Sequence, residues 1–221
     1  MATKPVLYSY FRSSCSWRVR IALAIKGVEY DYKGVNLLKG EQLGDEYKAV
    51  NPSGQVPCLE IDGMKLTQSL SIMEYLEETR SGTALLPKDP KQRALVRQIC
   101  EVIAGGIQPL QNLSVLKAIG ADRKTEWGHD MIAKGFRALE TFLENTAGRY
   151  CVGDDVTMAD CCLVPQVYNA NRFGVDLSQF PTIQCIHDAL IELDAFKKTH
   201  PCHAPDSPKD FAKSVDPLLA K

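Results

Sequence analysis

At 221 residues, with 45% hydrophobic and 24% charged residues, the chain has the composition of an ordinary globular protein and room for two domains or one large one. A net charge of −1 argues against a nucleic-acid partner, which calls for a basic stripe, and no apolar run approaches the length of a membrane span. Its eight cysteines contain no C-x-x-C pair, and the start, Met-Ala-Thr-Lys-Pro, leads into a strand pattern without secretory or transit features. The expectation is reduced thiols in a cytoplasmic protein. The four histidines have no zinc-like spacing with cysteines, so no metal is expected.

Residues 6–11, Val-Leu-Tyr-Ser-Tyr-Phe, alternate at strand period. From Cys15 the pattern becomes helical: Cys15, Val19, Ala22 and Leu23 share a face and Trp17, Ile21 and Ile25 flank it, so a largely buried helix should end near Gly27. Residues 29–35 alternate again, and so tight a β–α–β unit predicts parallel pairing through a right-handed crossover. A polar stretch over 39–50 predicts a short irregular helix, followed by the loop Asn51-Pro52-Ser53-Gly54. Residues 55–61 predict a strand with Pro57 near its start, Asp62-Gly63 a hairpin turn, and Met64 to Thr67 the returning strand. A helix opens at Gln68-Ser69, with Ser69 or Ser71 as its cap and Leu70, Ile72, Met73, Tyr75 and Leu76 apolar. This β-α-β-connector-hairpin-helix order is the thioredoxin-like arrangement. A proline entering the third strand suits the cis-proline of that fold, although a plain edge-strand proline is also consistent.

Beyond a linker at 83–90 no convincing strand follows. Asp89 caps a helix with Pro90 at its first position; the helical pattern over 91–116 is interrupted by Gly105-Gly106 and Pro109, where a kink or break is expected. A second amphipathic helix covers 124–145. Thr157 and Asp160 form a capping box with Val156 and Cys161 as a hydrophobic staple, and Pro181 opens a further helix. The tail from His200 carries Pro201, Pro205, Pro208 and Pro217 and should be extended and surface-bound. The expected architecture is α/β plus all-α: a thioredoxin-like domain at 1–82, the linker, and an all-helical domain at 91–221.

The candidate chemistry lies at the start of the first helix, where Ser13, Ser14 and Cys15 precede Trp17 and Arg18. A helix N-terminus carries unpaired N–H groups and about half a positive charge, which favours an anion such as a thiolate. Either serine is equally a plain N-cap, and Cys15 alone is consistent with a small buried hydrophobe.

Ser13-Ser14-Cys15-Ser16-Trp17-Arg18-Val19-Arg20-Ile21 resembles the S-S-C-x-[WH]-R-V-R-I signature of zeta-class glutathione transferases. Blocks at 51–57, 68–76, 105–112, 152–160 and 169–173 fit the same class, so the resemblance spans nearly the whole chain. It implies glutathione as cofactor, a homodimer, and a glutathione-dependent cis–trans isomerisation of maleylacetoacetate to fumarylacetoacetate, with transfer to small α-halo acids as a side activity. It places the thiol at Ser13, Ser14 and Cys15 and gives Ser13 the activating role, between serines the residues alone do not separate. Val56 is expected to pair its backbone with the cysteinyl part of the tripeptide. Gln68 and Ser69 suit the γ-glutamyl carboxylate, with Gln42 and Gln55 as further contacts. Gln108, Asn112 and Arg172 are the expected substrate residues: the first two by i,i+4 spacing, the arginine because guanidinium grips carboxylate bidentately. Two alternatives stay open at this point: a thiol–disulfide reductase using Cys15, and a non-catalytic interaction module of the same fold.

Overall fold

The computed structural model describes residues 3–211. The chain forms two compact units: one runs to Thr83 and takes in the chain again from Ala195, and the other is Ala84–Asp194.

The first unit contains β1 (Val6–Ser9), α1 (Ser14–Ile25), β2 (Asp31–Gly34), a short 3-10 turn, α2 (Asp45–Lys48), β3 (Cys58–Ile61), β4 (Met64–Thr67) and α3 (Ser69–Thr79). The sheet order is β2-β1-β3-β4, with β1 and β2 parallel and the other pairs antiparallel. The thioredoxin-like order is therefore as expected, with shorter strands. Tyr10 and Phe11 leave β1 for the turn that starts α1, and β3 begins only after Pro57, which has no N–H to give a ladder. Asp62 and Gly63 both have positive φ, at 51° and 77°, as the two-residue hairpin requires.

Arg18, Arg20 and Lys26, the charged residues in and just after α1, are all buried. Lys26 pairs with Glu77 of α3 at 2.6 Å, whereas Arg20 is enclosed by carbonyl and hydroxyl acceptors.

The second unit holds α4 (Pro90–Glu101), a π-helical segment (Val102–Ile107), a 3-10 turn (Gln108–Gln111), α5 (Leu113–Ile119), α6 (Lys124–Thr146), α7 (Met158–Arg172) and α8 (Pro181–Ile191). The expected break in the 91–116 helix is resolved this way. The Gly105-Gly106 pair widens the helix into a π turn, and Pro109 opens the 3-10 turn after it. Gly135 of α6 is where Ile107 comes close, because a Cβ there would lie 2.5 Å from its side chain. α7 is the core helix, with every residue from Met158 to Ala170 buried. The stretch at 83–90 is not a free linker: Leu85 and Leu86 are buried, and Leu85 O accepts the Met158 N–H at 2.8 Å.

The helical domain expected over 91–221 is shorter in the structure, because α9 (Asp194–Thr199) and the segment after it belong with the first unit from Ala195 on. Trp17 Nε1 donates to Thr199 Oγ1 at 3.0 Å, and Arg20 Nε to Thr199 O at 3.3 Å. Asp206 accepts from the Tyr32 hydroxyl at 2.5 Å and the Phe11 N–H at 3.0 Å. Pro205 and Pro208 are exposed, but the tail expected to be extended and surface-bound instead opens with a 3-10 turn (Pro201–His203) in which Pro201 is buried, and Phe211 is buried against Phe11 with ring centroids 4.9 Å apart. Pro217 lies outside the described residues.

Candidate active site

Sheet register gathers the candidate residues of the first unit. Cys58, the first residue of β3, lies opposite Tyr8 near the end of β1 and opposite Thr67 at the end of β4. The chain leaving β1 toward Ser13, the chain entering β3 through Gln55, Val56 and Pro57, and the chain leaving β4 toward Gln68 therefore meet at one end of the sheet.

At the first of these, Ser13 is the N-cap of α1, with extended backbone (φ −70°, ψ 115°), and its Oγ accepts the Ser16 N–H at 3.2 Å. Of the two serines it is thus Ser13 that caps. An accepting hydroxyl keeps its own hydrogen, so the capping bond leaves Ser13 able to donate outward. Ser14 and Cys15 are the first two helical residues; Ser14 is buried and Cys15 half-buried. No acidic residue lies in the first turn, so nothing there offsets the positive helix end. None of the eight cysteines is in a disulfide. Burial pushes the Cys58 thiol up to about 11 and raises Cys151 and Cys161 as well, and a hydrogen bond with Cys162, together with burial, raises Cys100, which makes these structural thiols inert.

The second segment is held by residues that sequence reasoning missed. The Tyr47 hydroxyl and Asn51 Nδ2 both donate to Gln55 O, at 2.6 and 2.7 Å. Asn51 Oδ1 in turn accepts from the Ser53 N–H and hydroxyl at 3.0 and 2.8 Å. The Val56–Pro57 bond is cis, as the fold suggested. Gln55 is exposed, Val56 is half-buried, and Gln42 holds a buried Oε1 with no hydrogen-bond partner among the described residues. The Asn51-Pro52-Ser53-Gly54 tetrapeptide signalled a loop. What it did not reveal is that Asn51 fastens the following carbonyl.

At the third, the expected serine cap is absent. Gln68 occupies the cap position of α3 with φ 67° and makes no side-chain capping bond, and Ser69 is the first helical residue. Such a backbone conformation is strained for glutamine and is the kind found at binding sites. Ser69 is buried, and its Oγ accepts from Arg18 Nη1 at 3.1 Å, which ties the start of α3 to α1.

In the second unit, Gln108 opens the 3-10 turn and Asn112 follows it with extended backbone as the cap of α5, its Oδ1 accepting the Leu113 N–H at 2.8 Å. The two are therefore not on one α-helical face, as i,i+4 spacing predicted; the 3-10 turn between them removes that geometry. Gln111 is the buried member of this stretch and donates to Gln166 Oε1 of α7 at 3.1 Å. Arg172 sits in the last turn of α7, exposed, with Nη1 3.5 Å from Asn169 Oδ1 and its guanidinium 5.7 Å from the centre of the Phe173 ring.

A thioredoxin-like sheet that brings a hydroxyl-capped helix start, a cis-proline strand and a second helix N-terminus to one end, followed in the chain by an all-helical unit, defines a glutathione transferase. Residues 5–78 match the glutathione S-transferase N-terminal domain and residues 117–198 the glutathione S-transferase C-terminal domain. The chain is 59% identical over 212 residues to maleylacetoacetate isomerase of Rattus norvegicus, covering 95% of this chain and 98% of that one. A crystal structure of maleylacetoacetate isomerase from Anaeromyxobacter dehalogenans 2CP-1, with glutathione bound in its active site, aligns with TM-score 0.85 at 46% identity, over 93% of this chain and 98% of that one. A bacterial zeta-class maleylpyruvate isomerase aligns with TM-score 0.89 at 43% identity, over 92% and 100%. The chain belongs to the zeta class of the glutathione transferases, the family of the maleylacetoacetate isomerases.

No helix among the described residues is long and apolar enough to cross a membrane.

Proposed function

We propose that the chain catalyses the glutathione-dependent cis–trans isomerisation of maleylacetoacetate to fumarylacetoacetate, with transfer of glutathione to small α-halo acids as a side activity. The observation that carries this reading is the serine-capped, hydroxyl- and thiol-bearing start of α1 in a chain 59% identical, over nearly its full length, to a mammalian isomerase.

The first-unit residues fit glutathione, a tripeptide with a carboxylate at each end. The uncapped start of α3 presents N–H groups and the Ser69 hydroxyl to the γ-glutamyl carboxylate, with Gln68 beside it. Val56 offers its backbone to the cysteinyl residue as a strand edge would, and the bonds from Tyr47 and Asn51 to Gln55 O hold that edge in place. Gln42, whose side chain is half-buried, is a further polar contact on this reading. Bound glutathione supplies a thiolate nucleophile that is regenerated in each turnover. A free thiol has a pKa of about 8.5, so the Ser13 hydroxyl and the N-terminus of α1 have the task of holding the sulfur ionised at neutral pH. Arg172 takes a carboxylate of the carbon substrate, with Gln108 and Asn112 as polar neighbours in the same unit. A homodimer and a cytoplasmic location belong to the same reading; light scattering that finds only monomer at micromolar concentration counts against the dimer.

The direct test is turnover of maleylacetoacetate by purified protein with and without glutathione, alongside a disulfide substrate. Isomerisation dependent on glutathione is expected, and disulfide reduction without isomerisation would establish the reductase reading instead. Cys15→Ala separates the same two mechanisms. Because glutathione provides the nucleophile, this variant should keep most of its isomerase turnover; a folded Cys15→Ala protein with none would make Cys15 the reacting thiol.

Arg172→Ala should raise KM for maleylacetoacetate about tenfold and leave KM for glutathione unchanged. The effect is modest because the side chain is exposed and water screens the pair. Arg172→Lys should recover only part, since an ammonium cannot reproduce the planar fork. A rise confined to the glutathione KM would remove Arg172 from the substrate site.

A further inference from the structure

Arg18 and Arg20 leave α1 two residues apart and are equally buried, at 1% and 2% exposure, yet their surroundings differ. Arg20 is surrounded by acceptors: Nη2 donates to Phe11 O at 2.9 Å, Nη1 to Ser9 Oγ at 3.1 Å and Tyr10 O at 3.4 Å, and Nε to Thr199 O at 3.3 Å. Its role is to clasp the chain around the start of α1. Arg18 makes a single hydrogen bond, from Nη1 to Ser69 Oγ at 3.1 Å, and its Nε and Nη2 have no partner among the described residues. A guanidinium keeps its charge at any physiological pH, and burying one without an anion is strongly unfavourable.

That uncompensated charge lies one hydrogen bond behind the first residue of α3. Ser69 Oγ accepts the hydrogen bond from Arg18 and has no acceptor for its own hydrogen among the described residues. The Gln68 side chain does not cap the helix, so the N–H groups of its first turn are left for something outside the protein. Charge, hydroxyl and helix end all lack the same component, an anion in front of Ser69. Because Arg18 Nε and Nη2 are closed to solvent, that anion does not touch the guanidinium; Ser69 stands between them.

We propose that Arg18 is a positioning residue for glutathione. By donating to Ser69 it turns the serine hydroxyl toward the γ-glutamyl α-carboxylate, and the ligand carboxylate supplies, across the serine, the negative charge that the protein alone does not place near Arg18. The proposal rests on the glutathione reading above and assigns to the cofactor site a residue that makes no contact with the cofactor. It also means that glutathione stabilises this unit by satisfying a buried charge as well as by filling a groove.

The test is calorimetric titration of wild type, Arg18→Met and Arg18→Lys with two ligands. One is glutathione; the other is γ-aminobutyryl-cysteinyl-glycine, which differs only by lacking the γ-glutamyl α-carboxylate. Ligand-free thermal melts of the three proteins accompany the titrations. Arg18→Met should weaken glutathione about ten- to a hundredfold, the range one charge-assisted hydrogen bond carries, and leave the decarboxylated ligand at its wild-type affinity. Arg18→Lys should recover part of the loss. Ligand-free Arg18→Met should melt no lower than wild type, since methionine removes an unpaired buried charge.

Equal weakening of both ligands, or a lower ligand-free melting temperature with glutathione affinity intact, would overturn the proposal and make Arg18 a structural residue. If Arg18→Met does not fold, Arg18→Lys decides through the same comparison of ligands. A wild-type protein that binds neither ligand would overturn the glutathione reading itself, and this proposal with it.

Discussion

Ser13→Ala is expected to cut glutathione-dependent isomerase turnover by roughly ten- to a hundredfold and to raise the pKa of the bound thiol, because one hydrogen bond to a charged group is worth about 1.5–3 kcal/mol. Its Oγ caps α1 through the Ser16 N–H at 3.2 Å, and on the proposed reading its hydroxyl hydrogen serves the sulfur, so the two jobs are separable. Losing the cap costs stability of about 1 kcal/mol in alanine and only a few tenths in glycine. Ser13→Gly should therefore leave the melting temperature close to wild type and still lose turnover, whereas Ser13→Thr keeps both hydroxyl and cap. The measurement is turnover set against the pH dependence of thiolate ultraviolet absorbance in the glutathione complex. Wild-type turnover and thiol pKa in Ser13→Gly would move the role to Ser14, the buried first residue of the helix.

Local periodicity made much of the first unit legible. Alternation in β1 and β2, the Asp62-Gly63 turn and the apolar face of α3 each follow from residues a few positions apart, and the order of elements then restricts the topology. The site was legible for the same reason: its parts lie where strands become loops or helices, and sheet register brings those points together at the Tyr8, Cys58 and Thr67 row. What stayed hidden depends on distant partners. A charged residue on a helix reads as a surface residue, and nothing local says that Arg20 is enclosed by the Thr199 carbonyl or that Arg18 faces Ser69. Asp206 reads as a turn residue in a proline-rich tail, yet it accepts from Tyr32 across 174 positions and draws the tail onto the first unit. Gln108 and Asn112 were placed by assuming an α-helical period, which a 3-10 turn replaces. That Gln68 occupies the cap position without capping was missed because serine is the better cap and the residue's positive φ has no sequence signature.

Asp160→Ala should destabilise the second unit by about 3–5 kcal/mol, enough to unfold a protein whose total stability is about 5–15 kcal/mol. Asp160 is fully buried at the start of α7 and serves three donors. Oδ1 accepts the Cys151 N–H at 2.9 Å; Oδ2 accepts the Thr157 N–H at 2.7 Å and the Thr157 hydroxyl at 2.9 Å. Burial pushes its carboxyl above the usual carboxylate range and those donors pull it back, so the group is held by its partners. Alanine leaves two buried N–H groups and a hydroxyl unpaired, each at about 1–3 kcal/mol. It also removes the tie between the turn at Cys151 and the helix that carries Arg172. Asp160→Asn should be intermediate, because its amide oxygen replaces one acceptor while its NH2 faces a donor. Thr157→Ala removes a single capping oxygen and should cost about 1 kcal/mol. Equilibrium unfolding in denaturant of the three variants gives the order, and the expected ranking is Asp160→Ala worst, then Asp160→Asn, then Thr157→Ala. If Asp160→Ala lost no more than Thr157→Ala, the carboxylate would be an ordinary cap, and the Cys151 turn would be held by its buried neighbours without it.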